Sequence, residues 1–328
     1  MGSKQNLIQF IFENVDNLKF TTVLDAFSGS GVVGYELKRR QKQVTTNDFL
    51  HFSYFTSKAL IENNNTKIDG ELLDRLLKLR SDAPQFVRDI YSELYFTKEE
   101  CFFLDSLWKN ISELTNQYQK ALALAAACRA CQKKRPRGIF TVIGKKGWDG
   151  RKDLKLSLQE QYINAVKVFN DSVFDNGQQN TALCGDIMSL EEKKYDLVYL
   201  DPPYWSPLSD NDYVRRYHFV EGYAIYWKDL IIDMKTKSKK FKSYKSDFSK
   251  LDSSVEAFKK LFNKYSDSII VVSYSSNSCP TKEEMLKMLE NVKSKVEVFE
   301  SDHCYSFANQ TDINRKNRVK EYLFIGRE

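Results

Sequence analysis

Short apolar runs alternate with amphipathic stretches at both ends of the chain, and amphipathic stretches alone fill its middle. Val23, Leu24, Ala26 and Phe27 mark an apolar run over 21–27 that reads as a buried strand. Ser28, Gly29, Ser30 and Gly31 follow it, then a helical pattern over 32–40. A second strand pattern covers 43–48, and another helical pattern runs to about residue 63. A strand, a glycine-rich loop, a helix and a second strand in this order open a doubly wound α/β sheet. One helix is enough for the parallel crossover between them.

From about residue 65 to 179 no strand pairs are evident, and 71–79, 98–131 and 154–170 read as amphipathic helices. Strand patterns return at 181–184, 195–200 and 268–274, the last rich in β-branched residues. Two final apolar runs, 296–299 and 321–325, suggest a closing antiparallel pair. The expected fold class is therefore α/β: a doubly wound, mostly parallel sheet with a C-terminal antiparallel strand pair and an inserted helical domain. Residues 1–64 and 180–328 would form the sheet domain and 65–179 the insert.

Composition leaves this picture standing. The chain has 328 residues, 42% hydrophobic and 29% charged, as in an ordinary folded protein. No apolar run is long enough to span a bilayer, and the first residues lack the layout of a signal peptide. The cysteines at 101, 128, 131, 184, 279 and 304 are too few and scattered for a disulfide framework, which points to a reducing cytosol. Cys128 and Cys131 form a lone C-x-x-C without the second pair that a zinc site needs. His51, His218 and His303 are too isolated for a metal site or a catalytic triad, so no metal is expected.

Net charge is +6, but it is unevenly placed. Between Arg129 and Lys155 there are ten Lys or Arg against two Asp, and between Lys235 and Lys250 seven Lys against one Asp. Interleaved with Phe140, Trp148, Phe241 and Tyr244, such patches suit a polyanion-binding surface, although a solvated lysine-rich face would look the same.

Candidate chemistry concentrates where strands end. Open α/β sheets bind ligands at the carboxyl ends of their strands. Asp25, Asp48, Asp186 and Asp201 all stand at such ends. Gly29 and Gly31 allow a tight turn and close ligand approach, and Asp48 is placed where an acid would meet ribose hydroxyls or else cap the next helix. The fourth strand ends in Asp201, Pro202, Pro203 and Tyr204. Proline stiffens the backbone and removes a donor, so a carboxylate and a proline carbonyl are left to accept hydrogen bonds from one –NH2 while Tyr204 stacks on its heterocycle. Trp205 and Tyr274 are further candidates for the pocket wall, or for the core.

In motif order the chain resembles the Dam-like class of adenine-specific DNA methyltransferases over most of its length. Gly2, Ser3 and Lys4 are similar to that family's N-terminal donor-contact motif. Asp25, Ala26, Phe27, Ser28, Gly29, Ser30 and Gly31 resemble its glycine loop, which contacts the methionine part of S-adenosyl-L-methionine (AdoMet). Asp48 corresponds to the ribose-contacting acid, Asp186 with Ile187 to the residues near the donor's adenine ring, and Asp201, which also borders the donor, opens the catalytic tetrapeptide completed by Pro202, Pro203 and Tyr204. The closing stretch 315–323, basic and then strand-like, resembles its C-terminus. The resemblance implies the AdoMet-dependent methyltransferase fold and an insert that reads DNA sequence. It departs in the long stretch 206–265, whose Lys235–Lys250 patch matches no motif.

What the resemblance implies is site-specific methylation of the exocyclic amine of adenine in double-stranded DNA, with the target base flipped out of the duplex. Lys133, Lys134, Arg135, Arg137, Lys145, Lys146, Arg151, Lys152, Arg215 and Arg216 are the candidate DNA-binding residues. It also implies a restriction-modification setting, with a cognate restriction endonuclease as a candidate partner, a monomer in solution and a cytoplasmic, nucleoid-associated location. Two alternatives stay open: an RNA methyltransferase acting on a base amine, and an inactive methyltransferase fold that only binds nucleic acid. Intact Asp25, Gly29, Gly31, Asp48, Asp201 and Tyr204 weigh against the second.

Overall fold

A computed structural model describes residues 4–141, 150–191, 193–205, 212–244, 246–304 and 318–328. Gly2, Ser3, Lys145, Lys146, Trp148 and 315–317 therefore lie outside the described residues. The chain divides into two compact units, one built on a sheet (Gly2–Phe49, Asn176–Asp212 and Tyr244–Glu328) and one helical (chiefly Leu50–Asp175 and Tyr213–Ser243).

Seven strands form the sheet: β1 Thr22–Asp25, β2 Gln43–Asp48, β3 Thr181–Cys184, β4 Leu197–Leu200, β5 Ile269–Ser275, β6 Lys295–Cys304 and β7 Arg318–Arg327. Their order is β3-β2-β1-β4-β5-β7-β6. The first five pair in parallel, and β7 runs antiparallel between β5 and β6, so the expected closing pair is present. Parallel strands need cover on both faces, which is why β4 is buried at every position. On one side Val198, Leu200, Ile270 and Val272 pack with Phe258, Leu261 and Phe262 of helix Leu251–Lys264 and with Met285 and Leu289 of helix Lys282–Glu290. The strand starts are pinned by Asp196, whose carboxylate accepts the Thr21 and Thr22 backbone N–H groups at 2.8 Å each. Those N–H groups, with the Thr21 hydroxyl, hold its pKa down at about 2.

The helical unit is wider than the insert expected at 65–179. It also takes in helix His51–Ser57 and helix Tyr213–Ile225, because both pack on helix Gln117–Lys133. From Ala121 to Ala127 that helix is buried all round, so it is a central helix and not the amphipathic one expected. The single helix expected over 98–131 is two, Lys98–Ser112 and Gln117–Lys133, separated where the Asn116 side chain accepts the Tyr118 and Gln119 N–H groups as an N-cap. Glu221, fully buried, closes the start of helix His51–Ser57 by accepting the His51 and Phe52 N–H groups at 3.1 and 3.2 Å. At 2.8 Å it also meets His51 Nδ1, and that hydrogen bond raises the histidine's pKa.

Candidate active site

The site is built on the carboxyl ends of β1, β2, β3 and β4. Leaving β1, the chain turns through Gly29 (φ +53°) and Gly31 (φ +75°), left-handed conformations that a side chain disfavours, before helix Val32–Arg39 begins. The turn is closed by Gly31 N–H donating to Ser28 O at 2.7 Å and Ser28 N–H to Asn47 O at 2.8 Å. Asp48 accepts the Gly29 N–H at 2.7 Å. Asn47 bridges three strand ends, its amide donating to Ala26 O and Gly185 O at 3.2 and 3.1 Å. Asp186 follows β3 and accepts the Met188 N–H at 3.0 Å.

Phe27, Asn47, Phe49, Gly185, Asp186 and Ile187 surround a cavity of about 330 Å³ together with Met188, Tyr244, Ser246, Asp247 and Phe248. Two edge-on aromatic pairs frame it, Phe27 with Phe248 at 5.3 Å and Phe49 with Tyr244 at 5.8 Å. Apolar walls with a few acids at the mouth suit a flat heterocycle bearing polar groups.

Asp25 is buried, with Oδ2 accepting the Gly34 N–H at 3.0 Å and Oδ1 lacking a hydrogen-bond partner. Burial, then the like charge of Asp201, push its pKa up to about 8. Asn47 Oδ1 is a second buried acceptor without a donor. A ligand bringing positive charge and N–H donors to this rim would answer both, so the residues present fit a cationic, amino-bearing methyl donor.

Next along the sheet, Asp201 sits beside Lys4, whose Nζ is 3.2 Å from Asp201 Oδ1 and 3.5 Å from Glu321 Oε2 on β7. Lys4 and Glu321 are both buried. Burial drives the Asp201 pKa up to about 6 even though Lys4 pulls it down. Burial also acts to lower the Lys4 pKa, but the carboxylates of Asp201 and Glu321 outweigh it and hold the ammonium well above the usual lysine value. Pro202 is buried, and the Tyr204 ring stands edge-on to Tyr274 at 5.2 Å. Tyr274 is itself buried, its hydroxyl without a partner. Trp205 is bridged to Cys279 through its carbonyl, which accepts the Cys279 N–H at 3.0 Å.

The sequence-derived donor residues thus gather on one rim: Lys4, Asp25, Ala26, Phe27, Ser28, Gly29, Ser30, Gly31, Asp48, Asp186, Ile187 and Asp201. Sequence reasoning missed Glu321 and the aromatic wall of Phe49, Tyr244 and Phe248. A lone acid in the apolar run 321–325 was the available signal for Glu321; nothing local marks the wall.

A protein of this layout, a glycine turn and four strand-end acids beside an Asp-Pro-Pro-Tyr clamp, can be compared with known families. The family model of the D12 class N6 adenine-specific DNA methyltransferases matches residues 1–277. This chain belongs to that class. A type II methyltransferase of Haemophilus parahaemolyticus, M2.HphI, is 29% identical over 99% of this chain and 96% of its own length. M.FokI of Planomicrobium okeanokoites is 30% identical over 98% of this chain, which spans only 54% of that relative. M.CviAII of Paramecium bursaria Chlorella virus 1 is 26% identical, with 99% and 97% of the two chains covered. Membership in the D12 class carries with it a DNA substrate and transfer to the N6 amine of adenine.

In this D12-class chain the basic candidates are sorted by burial within the helical unit. Lys133, Arg137, Arg151, Lys152 and Arg215 are exposed, although Lys133 pairs with Asp153 at 2.8 Å. Arg216 is half-buried. Arg135 departs from expectation: it is buried, donates to Tyr95 O at 2.9 Å and lies over the Tyr95 ring, so its guanidinium has no surface to offer a phosphate. Lys134 is likewise drawn inward, pairing with Glu100 at 2.9 Å and donating to Leu156 O. Phe140 and Phe241 are core residues and not the surface rings expected, because both pack around His218. Cys128 and Cys131 are buried free thiols, and no metal-binding cluster occurs among the described residues. No helix among them is long and apolar enough to cross a membrane.

Proposed function

We propose that this chain transfers a methyl group from AdoMet to the N6 amine of adenine within a specific sequence of double-stranded DNA, as the modification enzyme of a type II restriction-modification system. The observation that carries this reading is the placement of the Asp201 carboxylate, with only Oδ1 engaged by Lys4, on the strand next to the acid-rimmed turn of β1.

Asp25, Asp48 and Asp186 would hold the donor, with the glycine turn admitting it close to the backbone and the aromatic-walled cavity taking its adenine. Bound there, the donor supplies an already activated methyl group. An aromatic amine is a poor nucleophile because its lone pair is delocalised into the ring. Asp201 and the Pro202 carbonyl accept its two N–H groups and favour a pyramidal nitrogen, stabilising the positive charge that develops on it. Tyr204 stacks on the flipped base. Arg137, Arg151, Lys152 and Arg215 meet phosphates, which position the duplex without specifying sequence. No protein nucleophile is required.

The test is incubation with labelled AdoMet and either duplex DNA or RNA. Label at N6 of adenine in DNA is expected, and label in RNA alone would overturn the reading. Asp201→Ala should slow transfer by about 10² to 10³-fold, as for loss of one fixed charge-stabilising group, while AdoMet binding persists. Cleavage-protection of the methylated DNA against nucleases from the same source would identify a cognate endonuclease.

A further inference from the structure

Glu321 is an unusual occupant of its position. It lies on β7 between β5 and β6, opposite Ser275 and Ser301, with 1% of its surface exposed. A carboxylate removed from water at such a site carries a desolvation cost that a serine or glutamine would avoid. It pairs with the Lys4 ammonium at 3.5 Å, and that ammonium is shared with Asp201 Oδ1 at 3.2 Å. One buried cation thus stands between a buried carboxylate, Glu321, and a half-buried one, Asp201.

We propose that Glu321 is a positioning residue for methyl transfer, holding Lys4 between two acids so that Asp201 keeps one oxygen open, and strongly accepting, toward the target amine. The inference rests on the methyltransferase reading given above. Two effects follow from the geometry. First, Glu321 anchors the ammonium on the Oδ1 side, which leaves Oδ2 to the amine. Second, a lysine paired with Asp201 alone would withdraw electron density from the carboxylate at full strength; a second acid on the same ammonium divides that pull. The groups acting on the cluster are Lys4 from the N-terminal turn, Glu321 from β7, Asp25 from β1, and Tyr199 and Tyr204 flanking Asp201 in its own segment. Lys4 lowers the Asp201 pKa and Glu321 raises it, consistent with the division of charge.

The experiment is single-turnover methylation of DNA by Glu321→Gln across pH 5 to 9, with AdoMet affinity measured in parallel. Glutamine keeps the shape and a hydrogen-bond acceptor but removes the charge. The expected result is a rate about tenfold lower and an acid limb moved down by about one pH unit, with AdoMet affinity held within about twofold. Glu321→Asp should restore much of the rate. In a Lys4→Met background Glu321→Gln should add no further loss, since Glu321 acts through Lys4. A wild-type pH profile in Glu321→Gln, or additive losses in the double variant, would overturn the inference. Should Glu321→Gln fail to fold, Glu321→Ser, which matches the serines opposite it on both neighbouring strands, decides: an unshifted acid limb at full rate also overturns it. Absence of DNA methylation by the wild-type protein is a separate outcome, and it would count against the proposed function itself.

Discussion

Asp48 holds the glycine turn of the neighbouring strand, its Oδ2 accepting the Gly29 N–H at 2.7 Å. The acid expected to meet a ribose is thus also a strut for the loop that admits the donor. Asp48→Ala should lower AdoMet affinity by about tenfold or more, the worth of a charge-assisted hydrogen bond. Asp48→Asn, which keeps an acceptor for Gly29, should lose less. Titration calorimetry of the two variants separates the strut from a direct contact; equal losses would mean that the turn does not depend on this bond.

Stability should depend on pH through Asp25. Its pKa is about 8 in the folded chain against the ordinary 3.8, so the folded state holds a proton that the unfolded state has released. That contribution is fully present below about pH 4 and is lost as pH rises through 8. Relative to Asp25→Asn, the donor-free protein should lose up to about 1.4 kcal/mol per pH unit across this window. Thermal unfolding at pH 5 and pH 8 measures it, and parallel slopes for the two proteins would show that Asp25 is not the titrating group.

The exposed basic residues should carry the salt dependence of DNA affinity. Each phosphate contact removed among Arg137, Arg151, Lys152 and Arg215 is expected to reduce the slope of log affinity against log salt by about 0.9. Arg135→Met, by contrast, should lower the melting temperature and leave the slope alone, because Arg135 is buried on Tyr95. Fluorescence-anisotropy titrations at several salt concentrations distinguish the two classes.

Gly222 has a packing reason. A Cβ there would fall 2.2 Å from Trp227 Nε1, inside the buried indole. Alanine is the better helix former by about 1 kcal/mol. Overpacking should nevertheless win, and Gly222→Ala is expected to destabilise the protein by about 1 to 3 kcal/mol in urea unfolding. A gain in stability would mean that the indole moves freely aside.

The apolar pattern was sufficient for the sheet. The strands Leu197–Leu200 and Ile269–Ser275 sit where the runs 195–200 and 268–274 placed them, because a parallel strand buried on both faces must be largely apolar along its length. The donor turn and the Asp-Pro-Pro-Tyr clamp were legible for a related reason. Positive φ demands glycine, and an amine clamp demands an acid and prolines, so these residues carry their purpose in their type.

Burial and pairing were not legible, because they depend on what lies across space. Arg135 and Arg137 are two positions apart in one basic run, yet one lies on the Tyr95 ring and the other faces solvent. Helix Tyr213–Ile225 follows the clamp in sequence but packs on the alanine-rich helix, a grouping that no local signal announces. Lys4 and Glu321 stand 317 positions apart, and only the closing of β7 beside β5 brings that buried acid to the lysine that touches Asp201. Residue type and period determined the fold and the chemistry on offer; tertiary structure decided which charges were removed from water together, since desolvation depends on distance in space and not along the chain.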